Sequence, residues 1–180
     1  VIFSGSVLLS LPISSASGTP TNFIDAFFTS TSAVCVTGLI VVNTATHWSV
    51  FGKTVIVLLI QVGGLGYMTV ASLFVIILGK QMSLKDRLVF TEGIQTFSFA
   101  GLRKFIIYIV IITFVTEFIG ALVLSTKWIP EYGFLTGIGY SVFHAVSAFC
   151  NAGFSTIETN LVNYVGSIPI NLGIITLIII

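Results

Sequence analysis

Two short segments of the chain carry the same small residues in the same order. The first segment, residues 32–38, has the sequence SAVCVTG, and the second, residues 147–153, has the sequence SAFCNAG. Serine, alanine, cysteine and glycine recur at four matched places, always 115 residues apart. Small side chains leave the peptide oxygens accessible, and glycine permits the backbone angles that turn successive carbonyl groups toward one axis. The chemistry that these residues suggest is coordination of a cation by backbone carbonyl oxygens.

The type of cation follows from the lack of charge in both segments. Neither segment contains an acidic residue. Neutral carbonyl oxygens suit large, weakly hydrated cations such as potassium, whereas magnesium and calcium usually recruit carboxylates. Extended backbone at membrane depth is tolerated only where it is buried in protein or faces water. The two segments therefore predict a water-lined path for a monovalent cation, and tight packing at a helix end is the alternative explanation for each small residue.

Each small-residue segment follows a helix that is too short to cross a bilayer. The first helix is predicted to have Asn22 as its N-cap and to run to about Val34. Its length of roughly 20 Å is well below the ~30 Å of a hydrocarbon core. The second short helix is predicted for residues 136–149. If both helices enter from one side, their C-termini, the negative ends of the helix dipoles, point to the middle of the membrane and favour cations.

The bilayer is the expected solvent of this chain. Hydrophobic residues make up 56% and charged residues 7% of the 180 residues, and the mean hydropathy is +1.12. That composition leaves too little polar surface for a soluble globule, and a net charge of +1 gives no long-range field for nucleic acid. Complete spans are predicted for residues 54–79 and 105–124, while residues 1–11 and 170–180 are expected to be parts of two spans that the sequence cuts. Pro169 is expected in the first helical turn of the last span.

Basic residues set the predicted orientation. Five of the seven lysine and arginine residues lie between Lys80 and Lys104. Connections rich in lysine and arginine stay in the cytoplasm, so the short helices are expected to enter from the outside. The chain is accordingly divided into a first helix–pore-loop–helix unit at residues 1–79, a cytoplasmic linker at residues 80–101, and a second unit at residues 102–180.

Glycine and polar residues inside the spans need their own explanation. Residues 63–66, GGLG, lie within a predicted span and lack the strand that precedes a nucleotide-binding loop, which favours close helix packing. Glu117 lies near the middle of the second span and should face protein or water. A stopping place for cations and a structural hydrogen-bonding role toward a neighbouring helix both stay open for it. His144 is expected to be a hydrogen-bonding helix residue and His47 a loop residue.

A family resemblance is carried by two strings and the spacing between them. The strings are SAVCVTGLIVVNTATHWSVFGKTVIVLLIQVGGLGYMT and FHAVSAFCNAGFS. They strongly resemble the membrane subunits of bacterial Ktr potassium uptake systems, which belong to the Trk/Ktr/HKT superfamily. The resemblance extends over essentially the whole chain.

The resemblance implies an all-α integral membrane protein, built from tandem helix–pore-loop–helix repeats around a pseudo-fourfold pore. Members have four such units, each with one filter glycine, and this chain contains two of the four. On that basis the residues of the ion-selectivity filter, which hold potassium through their backbone carbonyls, are Val36, Thr37, Gly38, Asn151, Ala152 and Gly153. The filter-supporting residues are Cys35, Cys150, Ser32 and Ser147.

The resemblance also implies a function and partners. It indicates potassium translocation across the plasma membrane by a multi-pass protein in contact with lipid, with stimulation by sodium and without an organic cofactor in this chain. The implied partners are a second copy in a homodimer and a cytosolic nucleotide-binding regulatory ring. With two of four units, and without the third-unit helix that serves as the gate, the chain is not expected to conduct alone.

Two other functions remain compatible with the residues. A secondary carrier for a small organic or anionic solute is also built from repeats and broken helices, although the inward helix C-termini argue against an anion site. A non-conducting membrane subunit that assembles other proteins is the second alternative. An enzyme is not expected, because the sequence shows no nucleophile with a base and no metal-binding cluster.

Overall fold

The computed structural model describes residues 1–66 and 99–180 of the chain. These residues form α- and 3₁₀-helices joined by short loops, with an isolated antiparallel bridge between Ser15 and Trp48. The all-helical prediction is confirmed for them. Val1–Gly64 and Val115–Ile180 form one compact unit, which is separate from the rest of the chain. Both small-residue segments lie in this unit.

The chain begins with two helices that pack against each other. Helix α1, Ile2–Ser10, gives way to a 3₁₀ turn at Pro12–Ser14, because proline cannot continue the α-helical hydrogen bonds. Helix α2, Phe23–Val34, has Asn22 as its N-cap, as predicted, and the side-chain oxygen of Asn22 accepts a 3.0 Å hydrogen bond from the Ile24 N–H. The Ser30 hydroxyl of α2 donates to the Ile2 carbonyl of α1 at 2.8 Å.

The next part of the chain differs from the sequence prediction at both ends of its long helix. The prediction that His47 is a loop residue is wrong, because His47 is the last residue of the short helix α3, Thr44–His47. Helix α4, Val50–Gly64, begins before residue 54, where the span was predicted to start. The predicted span at residues 54–79 is not one continuous helix, because α4 ends at Gly64 and Gly66 takes a left-handed φ of +77°. Residues 67–79 and almost all of the predicted linker lie outside the described residues.

Helix α5, Phe99–Tyr132, is longer than the predicted span of residues 105–124. Within it, Ile106–Tyr132 is long and apolar enough to cross a membrane, with a mean hydropathy of 2.5. The added turns at its end are held by tertiary packing. Trp128 is fully buried, and its ring lies 4.7 Å from that of His144 and 5.9 Å from that of Tyr164. The helix therefore continues to Tyr132, past residue 124, where the span was predicted to end.

Two more α-helices, with a 3₁₀ turn at Val162–Tyr164 between them, complete the described structure. Helix α6, Phe134–Phe149, follows Gly133 and ends where the sequence predicted. A Cβ atom at Gly137 would lie 2.6 Å from the Trp128 carbonyl oxygen, so α5 and α6 approach closely at their shared turn. Helix α7, Ile168–Ile179, begins with Pro169 in its first turn, which confirms the predicted start.

Buried residues form two hydrophobic clusters, one around each short helix. The first joins α1, α2 and α4 to the inner face of α6, and its members include Leu9, Ala26, Ala33, Ile56, Ile60, Phe143, Val146 and Phe154. The second lies between α5, α6 and α7, and its members include Leu124, Trp128, Ala145, Tyr164 and Ile170. Many large apolar side chains on the outer faces of the helices are exposed. An apolar exterior over a packed interior is what a bilayer environment allows.

Candidate functional site

The two short helices end in the same way, hydrogen bond by hydrogen bond. We call residues 35–40 and 150–155 the first and second exit segments, since they carry the chain away from α2 and α6. At each helix end, three successive N–H groups donate to carbonyls of the last turn at matched positions. After α2 the pairs are Cys35–Thr31 at 2.8 Å, Val36–Ala33 at 3.3 Å and Thr37–Ser32 at 2.9 Å. After α6 they are Cys150–Val146 at 3.0 Å, Asn151–Ala148 at 3.0 Å and Ala152–Ser147 at 2.7 Å.

The backbone angles repeat in the same way. Val36 and Asn151 have φ values of +54° and +57°, in the left-handed region that residues other than glycine seldom occupy. Gly38 and Gly153 have φ values of +75° and +72°. A residue with a Cβ atom pays roughly 1–2 kcal/mol for this conformation, which favours glycine at positions 38 and 153.

The two exit segments meet at these glycines. A Cβ atom at Gly38 would lie 2.7 Å from the Ala152 carbonyl oxygen and 3.3 Å from the Gly153 Cα. A Cβ atom at Gly153 would lie 3.4 Å from the Gly38 Cα. The structure thus brings together the residues that the 115-residue spacing singles out, and it leaves no space for a side chain at Gly38.

Helix α4 receives the ends of both short helices on adjacent glycines. A Cβ atom at Gly63 would overlap the carbonyl oxygen of Val34, the last residue of α2. One at Gly64 would overlap the Sγ atom of Cys150, which follows α6. The prediction of close packing is confirmed for these two glycines. It does not extend to Gly66, which has no described atom within 4 Å of its Cβ position and serves instead in a turn.

The predicted supporting residues differ between the two copies. The buried Ser147 hydroxyl donates to the Phe154 carbonyl at 2.8 Å. The Ser32 hydroxyl is also buried, but it has no hydrogen-bond partner among the described residues. Cys35 is exposed and Cys150 is half-buried, and both are free thiols. Their contribution to an ion path stays a prediction.

Glu117 faces protein, as predicted. Its side chain is only 4% exposed. The carboxyl group lies beside the Gln61 amide of α4 and close to Cys150. Glu117 Oε1 and Gln61 Nε2 each lack a hydrogen-bond partner in the part of the chain that the structure describes. Glu117 is therefore buried between α4 and the end of α6, beside Gln61 and Cys150.

Three side chains near the site show what sequence reasoning can and cannot find. His144 accords with its prediction, because its Nδ1 lies 2.8 Å from the Tyr140 carbonyl oxygen within α6. Its Nε2 also lies 3.0 Å from the Ser155 hydroxyl. Sequence reasoning assigns no role to Ser155 or to Gln61. The available signal was a polar residue in an apolar stretch, which does not identify the partner.

The described residues form an all-helical structure in which two short helices and their exit segments match, and comparison with known proteins identifies the family. Residues 2–180 match the TrkH family, described as cation transport protein. The chain belongs to this family. It is therefore a plasma-membrane protein, and its kinship with transporters rather than enzymes confirms that it is no enzyme.

Individual relatives are longer than this chain. It is 48% identical to the potassium/sodium uptake protein NtpJ of Enterococcus hirae, over 89% of the chain and 36% of that protein. It is 47% identical to the Ktr system potassium uptake protein B of Bacillus subtilis, over 95% of the chain and 38% of that protein. Identity to the protein of the same name from Vibrio alginolyticus is 39%, over 92% and 36%. The chain thus spans a little over a third of the length of these curated relatives.

Proposed function

We propose that the whole protein transports potassium ions across the plasma membrane and that the two exit segments of this chain form part of its selectivity filter. The ion would be held by the backbone carbonyls of residues 36–38 and 151–153. The observation that carries the proposal is the contact between Gly38 and Gly153, which hold matched places in two exit segments with matching helix ends and φ values. A pore built from repeats needs such equivalent surfaces facing a shared axis.

The electrostatics of the site favour a cation. Helices α2 and α6 both end at the exit segments, so both direct the negative ends of their dipoles toward this place. Residues 36–38 and 151–153 carry no charged side chain. A site made of neutral oxygens and helix C-termini suits a monovalent ion of low hydration energy better than a divalent one.

The relatives guide the remaining parts of the proposal. They are named for the uptake of potassium, or of potassium and sodium, and we extend potassium transport and stimulation by sodium from them to the whole protein. The four-unit ring, the homodimer and the cytosolic nucleotide-binding regulatory ring belong to the same proposal. In that arrangement this chain supplies two of four units, as residues 1–79 and 102–180 joined by the cytoplasmic linker.

Uptake of rubidium, a potassium substitute, tests the proposal. The full-length protein is expressed in cells that lack potassium uptake, and rubidium entry is measured with and without competing sodium. Gly38→Ser should weaken discrimination against sodium about tenfold, which corresponds to about 1.4 kcal/mol. Gly18→Ser is the matched control, because Gly18 has a φ of +71° but no described atom within 4 Å of its Cβ position.

The same experiment separates the alternatives. Absence of rubidium entry by the intact protein would discard the channel, and entry of an organic solute instead would establish a carrier. An assembly subunit would leave selectivity unchanged in Gly38→Ser. An equal loss of selectivity in Gly18→Ser would show that backbone strain alone, and not the contact between the segments, is responsible.

A further inference from the structure

The two exit segments diverge directly after their glycines. In the second segment, the Ser147 hydroxyl donates to the Phe154 carbonyl at 2.8 Å, and the Ser155 hydroxyl lies 3.0 Å from His144 Nε2. Both bonds tie the departing chain back to α6. Phe154 is 3% exposed. The second segment is therefore held along its whole length.

The first exit segment lacks these bonds, although it shares the preceding backbone. Ser32, which matches Ser147, has no partner among the described residues. Thr29, which matches His144, donates its hydroxyl back to the Asp25 carbonyl at 2.8 Å within α2. Ile40 matches Ser155 and has no polar side-chain atom. Leu39, at the place of Phe154, is 58% exposed.

The imidazole of His144 is well suited to hold the second segment. Its Nδ1 lies 2.8 Å from the Tyr140 carbonyl, which can only accept, so Nδ1 carries a proton. In the neutral ring, Nε2 is then an acceptor and receives the Ser155 hydroxyl at 3.0 Å, a shorter distance than the 3.3 Å from that hydroxyl to the Ile157 carbonyl. The Ser155 hydroxyl oxygen accepts the Ile157 N–H at 3.1 Å. The ring is packed against Trp128, with 4.7 Å between the ring centroids, and the residue is 3% exposed.

We propose that His144, Ser147 and Ser155 are positioning residues that fasten the second exit segment to its own helix. The second segment is then the rigid member of the pair, and the first is the adaptable one. The proposed hydrogen bonds within the polypeptide do not depend on ion binding. The consequence of the fastening for ions rests on the proposed function: the rigid segment sets the discrimination against sodium more strongly than the adaptable one.

Equal substitutions at matched positions test the fastening. Hydrogen–deuterium exchange is measured on the full-length protein in lipid nanodiscs. Ser147→Ala should speed exchange in residues 152–157 about fivefold, as expected for the loss of one neutral hydrogen bond. Ser32→Ala is the matched control, and it should leave residues 37–42 unchanged because it removes a hydroxyl that has no partner in the described structure.

A second pair of variants addresses the histidine contact. Ser155→Ala should raise exchange in the same residues by a similar factor, whereas Ser155→Thr keeps the hydroxyl and should restore slow exchange. In the rubidium assay, Ser147→Ala and Ser155→Ala should each weaken discrimination against sodium about threefold to tenfold. Ser155→Thr should recover most of the discrimination against sodium that Ser155→Ala loses.

The outcomes are distinct. The proposed fastening would be overturned if Ser147→Ala and wild type exchanged at equal rates. It would also be overturned if Ser32→Ala and Ser147→Ala raised the exchange rate at their matched segments by the same factor. Exchange that is as fast in Ser155→Thr as in Ser155→Ala would also overturn it. If the expected exchange pattern is found but the intact protein admits no rubidium, the potassium proposal fails and the fastening stands.

Discussion

The two hairpins, α2 with residues 35–40 and α6 with residues 150–155, are alike where they meet each other and different where they meet the rest of the chain. Their helix ends, φ values and glycines match residue for residue. Their supports do not match: Gly63 lies against a backbone carbonyl of the first hairpin, and Gly64 lies against a side chain of the second. The comparison teaches that a repeat can keep the geometry of a site while the side chains that hold it change.

The largest expected effect distinguishes the two glycines at the contact. Gly38→Ala should be worse than Gly153→Ala, because its Cβ would lie 2.7 Å from a carbonyl oxygen, whereas the Cβ at Gly153 has 3.4 Å to its nearest described atom. Both variants also pay roughly 1–2 kcal/mol for a left-handed residue with a Cβ atom. Initial rates of rubidium uptake by the intact protein should fall more than about tenfold for Gly38→Ala. Equal rates for the two variants would mean that the segments are not in this contact.

The next effect concerns the support from α4. Gly63→Ala forces a methyl group onto the Val34 carbonyl and should destabilise the protein by about 1–3 kcal/mol. Gly64→Ala should cost less, since the group it meets is the Cys150 side chain, which can change rotamer. Thermal unfolding of the purified full-length protein measures both. Gly139→Ala, in a helix and with no described atom within 4 Å of its Cβ position, is the control and should be neutral or slightly stabilising.

Substitutions of Glu117 are expected to have a smaller effect. They distinguish a structural role from a role as a stopping place for cations. It lies beside Gln61 and Cys150, which favours a structural role in the layer behind the second hairpin. Glu117→Gln keeps the size and a hydrogen-bonding group, so the rate and sodium dependence of rubidium uptake should change less than about threefold. Glu117→Ala leaves a cavity and should lower the unfolding temperature. If Glu117→Gln abolished uptake while stability was unchanged, Glu117 would be a stopping place for cations instead.

The smallest effect is a pH dependence in the connection that follows the second hairpin. Burial, together with hydrogen bonds to Tyr132 and Glu131, raises the pKa of Tyr164 above its ordinary value near 10. The folded state therefore favours the protonated phenol, so this contribution to stability is complete below pH 10 and is lost as the pH rises above it. Tyr164→Phe should flatten the fall in unfolding temperature above pH 10. An unchanged slope would show that Tyr164 is not the group responsible.

Local signals were sufficient for much of this architecture. The constant spacing predicted two equivalent helix ends, and Asn22 and Pro169 marked helix starts that the structure confirms. Insertion energetics predicted that Glu117 is shielded from lipid, and its burial agrees.

Features that depend on distant partners were missed. The extension of α5 relies on Trp128, which packs against His144 and Tyr164. The end of α4 coincides with the arrival of α2 and α6 on its two glycines, which no single stretch of sequence reveals. The bond between His144 and Ser155 joins residues on opposite sides of a turn whose path the small-residue pattern leaves undetermined.

The position of a bound ion tests the central claim most directly. Crystals of the full-length protein grown with rubidium would be measured near the rubidium absorption edge for anomalous scattering. The account predicts a peak bordered by backbone carbonyl oxygens of residues 36–38 and 151–153, next to the contact between Gly38 and Gly153. Rubidium bound elsewhere in the protein, with no peak beside these two segments, would contradict it.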